Sequence, residues 1–182
     1  MTRTMTDDQK TVAKGILGAV IFSTLYALAG WAVVSFDGAG IATLAERMVF
    51  VIRCQVFALP VLIVGIVNVV RERFFNRGWI DGSPGDAGCR LDINKRFIQN
   101  TVEQLVLAVM ANVALVVVLP QSALKCIPLL VSLFIVGRLI FWASYLRNPV
   151  SRAFGFTVTF FPTVCVVLYV MWQFAAGPIS TA

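Results

Sequence analysis

The sequence contains no histidine, and only 13% of its residues are charged. Without histidine, the chain has no imidazole metal ligand, no imidazole acid–base catalyst and no Ser-His-Asp triad. No Cys-x-x-Cys pair occurs, so neither a metal site nor a redox dithiol is predicted. We expect no nucleic-acid partner, because no polar segment combines a basic run with an aromatic platform.

Apolar residues make up 59% of the 182 residues, and the mean hydropathy is +0.86. A soluble domain of this size has too little interior to bury so much apolar surface. Apolar runs of about 20 residues recur, which is the length that crosses roughly 30 Å of hydrocarbon. The sequence therefore predicts an all-α fold, a polytopic membrane helical bundle with five spans.

Short polar connections separate the spans, and Pro60 is expected to kink the second of them. The predicted segments are a polar N-terminal segment 1–14, an extra transmembrane helix 15–36, a four-helix transmembrane domain 45–174 with a long loop 71–96, and a tail 175–182. Lys and Arg collect in the N-terminal segment, in the loop 71–96 and in the connection 147–152. The positive-inside rule places these three parts, and the N-terminus, in the cytoplasm. The membrane would be the inner membrane in a bacterium and an endomembrane in a eukaryote.

One polar stripe stands out within the apolar spans. Arg96, Asn100 and Glu103 are spaced i, i+4 and i+7, so a helix projects all three from one face. Arg138 and Tyr145 of the next span lie near the same membrane face. Intramembrane ionisable groups are costly and normally face a bundle interior or a wet cavity. We expect a polar layer here, with Glu103 and Arg138 as an ion pair, and with two open roles: holding the helices together or binding a ligand.

The spacing Arg96-x3-Asn100-x2-Glu103 resembles the R-x3-N-x2-E signature of the MAPEG superfamily, the membrane proteins of eicosanoid and glutathione metabolism. The later series Arg138-x2-Phe141-x3-Tyr145-x6-Arg152 resembles the third and fourth helices of that family. The resemblance covers roughly residues 45–174. It implies a four-helix bundle that assembles as a homotrimer and binds glutathione between neighbouring subunits near the cytoplasmic face.

The resemblance also implies roles for individual residues. Glutathione would be held by Arg96, Asn100, Glu103, Arg138 and Tyr145. An arginine from the end of the second span, Arg73 or its neighbour Arg71, would join them. Arg152 would activate the thiol, since a guanidinium near sulfur raises the thiolate fraction. No metal is implied.

Two departures weaken the case for activity. Phe141 stands where active members often have a tyrosine, and the extra helix 15–36 resembles the plan of the mattrin-like branch. Two functions remain open: a glutathione-dependent transferase or peroxidase acting on a small lipophilic substrate, and a non-catalytic protein that binds membrane lipid or a membrane partner. A transporter is disfavoured, because the polar groups cluster at one face and do not cross the bilayer.

Overall fold

The computed structural model describes residues 5–38 and 40–177. Over these residues every regular element is helical, and five helical segments are long and apolar enough to cross a membrane. The helices are α1 Asp7–Val33, α2 Leu44–Val56, α3 Leu59–Phe75, α4 Arg90–Val118, α5 Cys126–Arg147 and α6 Arg152–Ala176, with single 3-10 turns at Arg77–Trp79, Gln121–Ala123 and Pro149–Ser151. The predicted all-α membrane bundle is confirmed. Arg3 and the tail residues 178–182 lie outside the described residues.

Helix α1 begins well before the apolar run that predicted it. Thr6 and Gln9 form a capping box, in which the Gln9 amide donates to Thr6 Oγ1 at 3.3 Å and the Thr6 amide donates to Gln9 Oε1 at 2.9 Å. These bonds satisfy N–H groups that the first turn leaves free, so the polar residues that follow Thr6 join the helix. Part of the predicted N-terminal segment is therefore the first two turns of a membrane helix.

The second span consists of two helices. The α-helical pattern stops at Val56 and resumes at Leu59, with Pro60 in the first turn of α3. Proline has no N–H to donate to the preceding turn, but at the start of a helix that donor is not needed. This interruption confirms the predicted kink at Pro60.

Helices α5 and α6 approach each other most closely where two glycines meet the opposing helix. A Cβ atom on Gly155 would fall on the backbone of Phe141, and one on Gly137 would lie 2.6 Å from Thr159 Cγ2. Because neither position has room for a side chain, the two helices pack nearly backbone to backbone. This pair forms the centre of the bundle, and α4 and α1 also pack against α6.

Two cationic side chains donate hydrogen bonds to backbone carbonyls at the end of the bundle where α1 and α4 end. Arg47 Nη1 donates to Leu119 O at 2.7 Å, and Lys125 Nζ donates to Trp31 O at 2.8 Å. Each cation thus satisfies a carbonyl next to a helix C-terminus, where the helix dipole favours positive charge. We call the opposite end, where α1, α4 and α6 begin and α3 and α5 finish, the basic end.

Candidate functional site

A large cleft opens at the basic end of the bundle. Its volume is about 1700 Å³, and it lies between α1 and α4, with α5 and α6 at its base. On α4 the lining residues run from Asp92 to Glu103, and on α1 they reach Val20. At 1.5 Å per residue, the cleft extends about 20 Å along these helices from their first turns.

The α4 wall of the cleft is polar along its whole length. Its lining residues recur at helical spacing and are Asp92, Lys95, Arg96, Gln99, Asn100 and Glu103. Arg96 Nε donates to both carboxylate oxygens of Asp92, at 3.0 and 3.1 Å, and Gln99 Nε2 donates to Glu103 Oε1 at 2.8 Å. The wall therefore presents both signs of charge on an ordered surface.

The part of the cleft that α1 and α6 form is largely apolar. Helix α1 contributes Val12, Ala13, Ile16 and Val20 at helical spacing, and α6 contributes Phe156, Phe160, Phe161 and Val164. Polar side chains of α1 reach the cleft only in its first turn, at Asp8 and Gln9. A polar surface and an apolar surface thus run side by side along the cleft.

Tyr145 and Arg152 lie at the base of the cleft. The Arg152 guanidinium lies 4.7 Å from the centroid of the Tyr145 ring, which is a cation–π contact. Tyr145 is buried, and it lines the cleft together with Arg96. Arg152 is exposed and makes no hydrogen bond or ion pair with another described residue, so its donors are free for a ligand.

Arg138 lies behind the cleft and does not line it. Its side chain is 0% exposed. Arg138 Nη1 donates to Asn100 Oδ1 at 2.7 Å, and Nη2 donates to Thr159 Oγ1 at 2.7 Å. The guanidinium also lies 4.6 Å from the ring centroid of Phe141, which separates it from the cleft.

The predicted ion pair between Glu103 and Arg138 is wrong. Over the described residues Arg138 has no carboxylate partner within ion-pair distance, because neutral oxygens of Asn100, Thr159 and Gly155 take its N–H groups. Glu103 lies on the exposed stripe of α4 and accepts from Gln99 instead. Phe141, which replaces the expected tyrosine, covers the buried guanidinium and brings no hydroxyl to the cleft.

Arg73, predicted from the family resemblance, and a second polar residue of α3 lie away from the cleft. Arg73 points to the loop that follows α3, and its Nη2 donates to Gly82 O at 3.4 Å. Asn68 of α3 is half-buried and donates to Val64 O at 2.8 Å. Neither residue lines the cleft of its own chain.

The contribution of α1 is what the sequence reasoning missed. Residues 8, 9, 12, 13, 16 and 20 of this helix face the cleft, a spacing that marks one helical face. The spacing is visible in the sequence, but the family resemblance covers roughly residues 45–174 and gives α1 no role in the site. No group of three His, Cys, Asp or Glu side chains suited to a metal ion occurs among residues 5–38 and 40–177.

Comparison with known proteins gives one family and one kind of relative. The model of the MAPEG family matches residues 48–172. Transmembrane protein 79 (mattrin) is similar to this chain in two species. The mouse protein (Mus musculus) is 27% identical over 165 residues, which are 90% of this chain and 41% of the relative. The bovine protein (Bos taurus) is 30% identical over 145 residues, which are 79% of this chain and 35% of the relative. The chain spans about two fifths or less of the length of these relatives, and no solved structure matches it.

Proposed function

Because the chain belongs to the MAPEG family, we propose that it binds glutathione on the α4 wall of the cleft and transfers the thiol to a lipophilic electrophile. One observation carries the proposal: a polar wall and an apolar wall run side by side in a single cleft. A peptide thiol and an apolar acceptor differ in polarity in the same way. A cleft built like this holds both reactants next to each other, and such proximity is a large part of catalysis.

The mixed charge of the polar wall fits glutathione better than a simple anion. Glutathione carries one ammonium group and two carboxylates. Arg96 and Lys95 supply cations for the carboxylates, and Glu103 supplies an acceptor for the ammonium group. Charge-assisted hydrogen bonds of this kind are about twice as strong as neutral ones.

The volume of the cleft supports a second reactant. Pockets for single small molecules usually measure about 300–1,000 Å³, whereas this cleft has about 1700 Å³. A tripeptide on α4 leaves space against α1 and α6, where the lining is apolar. The cleft also reaches well into a membrane span, so an acceptor dissolved in the bilayer has a short path to it.

Arg152 is the residue proposed to activate the thiol. Its guanidinium makes no hydrogen bond or ion pair with another described residue, and it lies against the ring of Tyr145 at the base shared by both walls. A nearby cation lowers the pKa of a thiol and so raises the fraction present as thiolate, the nucleophilic form. With an α,β-unsaturated carbonyl acceptor, sulfur bonds to the β-carbon and the π electrons move to the carbonyl oxygen. The proton lost by the thiol is balanced by one taken up at the α-carbon.

A binding titration tests this proposal. Purified protein in lipid nanodiscs is titrated with glutathione, by calorimetry and by the ultraviolet absorbance of the thiolate. We expect binding with a thiolate signal at neutral pH. Arg152→Ala should remove the thiolate signal and leave the helical circular dichroism unchanged. Arg147→Ala is the matched control, because Arg147 is exposed at the same end of the bundle but does not line the cleft. Absence of glutathione binding to the wild-type protein would overturn the proposal.

A second candidate function is binding of membrane lipid without chemistry. It is favoured by Phe141, which brings no hydroxyl to the cleft and is held against buried Arg138. Mass spectrometry of the protein released from nanodiscs separates the two functions. A retained lipid that glutathione does not displace, together with no thiolate signal, is the result expected of the non-catalytic protein.

The assembly and the orientation of the chain belong to the same proposal. The basic end is cytoplasmic, as the distribution of Lys and Arg suggests, so glutathione reaches the cleft from the cytosol. The protein is a homotrimer, as expected from the family resemblance, in which Arg73 of α3 would serve the pocket of a neighbouring subunit. Cross-linking in the membrane gives the oligomeric state, and labelling of Cys89 with a membrane-impermeant maleimide gives the orientation.

A further inference from the structure

Helix α1 lies outside the part of the chain that matches the family, yet it forms one side of the cleft. The family match begins at residue 48, whereas α1 is Asp7–Val33. The extra helix therefore adds a wall to a site that the family resemblance builds from other helices. The family resemblance gives α1 no role in the site, so we infer the effect of α1 on a ligand from the residues of α1.

The position of α1 is fixed by close packing on the start of α6. A Cβ atom on Gly15 would lie 3.4 Å from the backbone nitrogen of Phe154, and one on Gly18 would lie 3.6 Å from the ring of Phe154. Farther along, the Tyr26 hydroxyl is hydrogen-bonded to Ser132 Oγ of α5 at 2.8 Å. These contacts hold α1 close to α6 and α5, so its cleft-facing side chains form a fixed surface.

The cleft-facing side of α1 changes from polar to apolar along the helix. Asp8 and Gln9 lie in its first turn, and Ile16 and Val20 follow deeper in the membrane. On α6, Phe161 and Val164 also line the cleft. The apolar surface is therefore about 12 Å long, from Val12 to Val20 at 1.5 Å per residue. It is bounded by charged groups at its entrance and along α4.

We propose that α1 determines acceptor specificity, with Val12, Ile16 and Val20 holding a linear acyl chain against α6. The polar entrance and the long apolar surface match an amphiphile with a polar electrophilic head and an unbranched hydrocarbon chain. The class of reaction rests on the proposed function, but binding of the acyl chain does not depend on it. The acyl chain lies parallel to the helices, and its head lies near Arg152 and the glutathione sulfur.

A photoreactive fatty acid tests this binding surface in the full chain in nanodiscs. The probe is palmitic acid with a diazirine on its chain, with unlabelled palmitic acid as competitor, and the labelled peptides are mapped by mass spectrometry. We expect competable labelling of the segments 12–20 and 156–164. Ile16→Trp should fill the apolar surface and lower this labelling about tenfold, as overpacking does.

Leu17→Trp is the matched control. Leu17 is the next residue on α1, is 63% exposed and does not line the cleft. Labelling in this variant should stay within about twofold of the wild type, because surface substitutions away from packed features usually have small effects. Equal loss in both variants, or labelling that palmitic acid does not compete, would overturn the inference.

The same variants separate this inference from the proposed function. Glutathione affinity should be unchanged in Ile16→Trp, because the polar wall is on α4. If glutathione fails to bind while competable acyl labelling persists, the thiol-transfer proposal fails and the acyl site stands. If glutathione binds and Ile16→Trp leaves the labelling unchanged, the proposed role of α1 is wrong while the thiol-transfer proposal stands.

Discussion

The substitution Asn100→Asp probes the contact between Asn100 and the buried charge of Arg138. Asn100 Oδ1 accepts from Arg138 Nη1 at 2.7 Å, so the oxygen of this amide faces the bundle interior. Asn100 also lines the cleft, and its Nδ2 group donates to no other described residue. The amide therefore offers a donor to the cleft, where a carboxylate of glutathione is proposed to bind.

Replacing the amide with a carboxylate separates stability from binding. An aspartate at position 100 keeps an acceptor for Arg138 and gives the buried guanidinium the counter-charge that it lacks, so thermal stability should hold or rise. Binding should weaken, because the donor in the cleft becomes a negative acceptor. A hydrogen bond to a charged group contributes about 1.5–3 kcal/mol, which corresponds to a loss of about 10- to 150-fold in glutathione affinity.

The assay combines a thermal melt with a glutathione titration of the same sample. Asn100→Ala is the comparison: it removes the acceptor from Arg138 and should lower stability by about 1–3 kcal/mol. Arg138→Met replaces the buried charge with an apolar side chain of similar length, which is often tolerated, and frees the Asn100 amide to rotate. Unchanged glutathione affinity in Asn100→Asp would refute the assigned orientation, and a fall in its melting temperature would refute the electrostatic reasoning.

Three further predictions follow from the packing and the charges. Gly155→Ala should destabilise the protein by about 3 kcal/mol or prevent folding, because the added Cβ meets the backbone of α5. Gly78→Ala is the control and should change the melting temperature little, because no atom lies within 4 Å of its added Cβ. Thermal melts of the two variants check this. Arg47→Met removes the donor to the end of α4 and should cost about 1.5–3 kcal/mol, measured by urea unfolding in mixed micelles. In Arg152→Ala, the thiol of bound glutathione should titrate at a higher pH than in the wild type, since the cation that lowers the thiol pKa is gone; an unchanged titration would contradict the role given to Arg152.

The fold was largely predictable because its determinants are local. A membrane span needs about 20 apolar residues, and this requirement leaves a pattern in the sequence that length and composition alone reveal. The kink at Pro60 was predictable for the same reason, since a missing N–H acts on the turn that contains it. The start of α1 was not found, because the capping box at Thr6 lies among polar residues that a hydropathy pattern ignores.

The arrangement of the candidate site was harder to predict, because it depends on which helices pack together. Helical spacing correctly put Arg96, Asn100 and Glu103 on one face of α4, and all three line the cleft. The predicted ion pair between Glu103 and Arg138 rested on their similar depth in the membrane. Two residues at equal depth can nevertheless face different neighbours. Arg138 faces α6, where Gly155 allows the two backbones to meet, and only Asn100 of the three reaches it. Depth decides which groups can meet, and the packing of α5 on α6 decides which do.

The buried charge of Arg138 bears on how far activity can be transferred from the family to this chain. A cation that is 0% exposed, with Nε lacking any hydrogen-bond partner among the described residues, is costly unless something offsets it. In this bundle the offset comes from neutral oxygens and from the face of Phe141. A tyrosine at position 141 would add a hydroxyl to that face and draw it toward the cleft or toward a polar partner. Phe141→Tyr should therefore raise the thiolate signal if the protein is a transferase with a weakened pocket. It should change nothing in the cleft of a lipid binder, because there the ring serves only to cover the guanidinium.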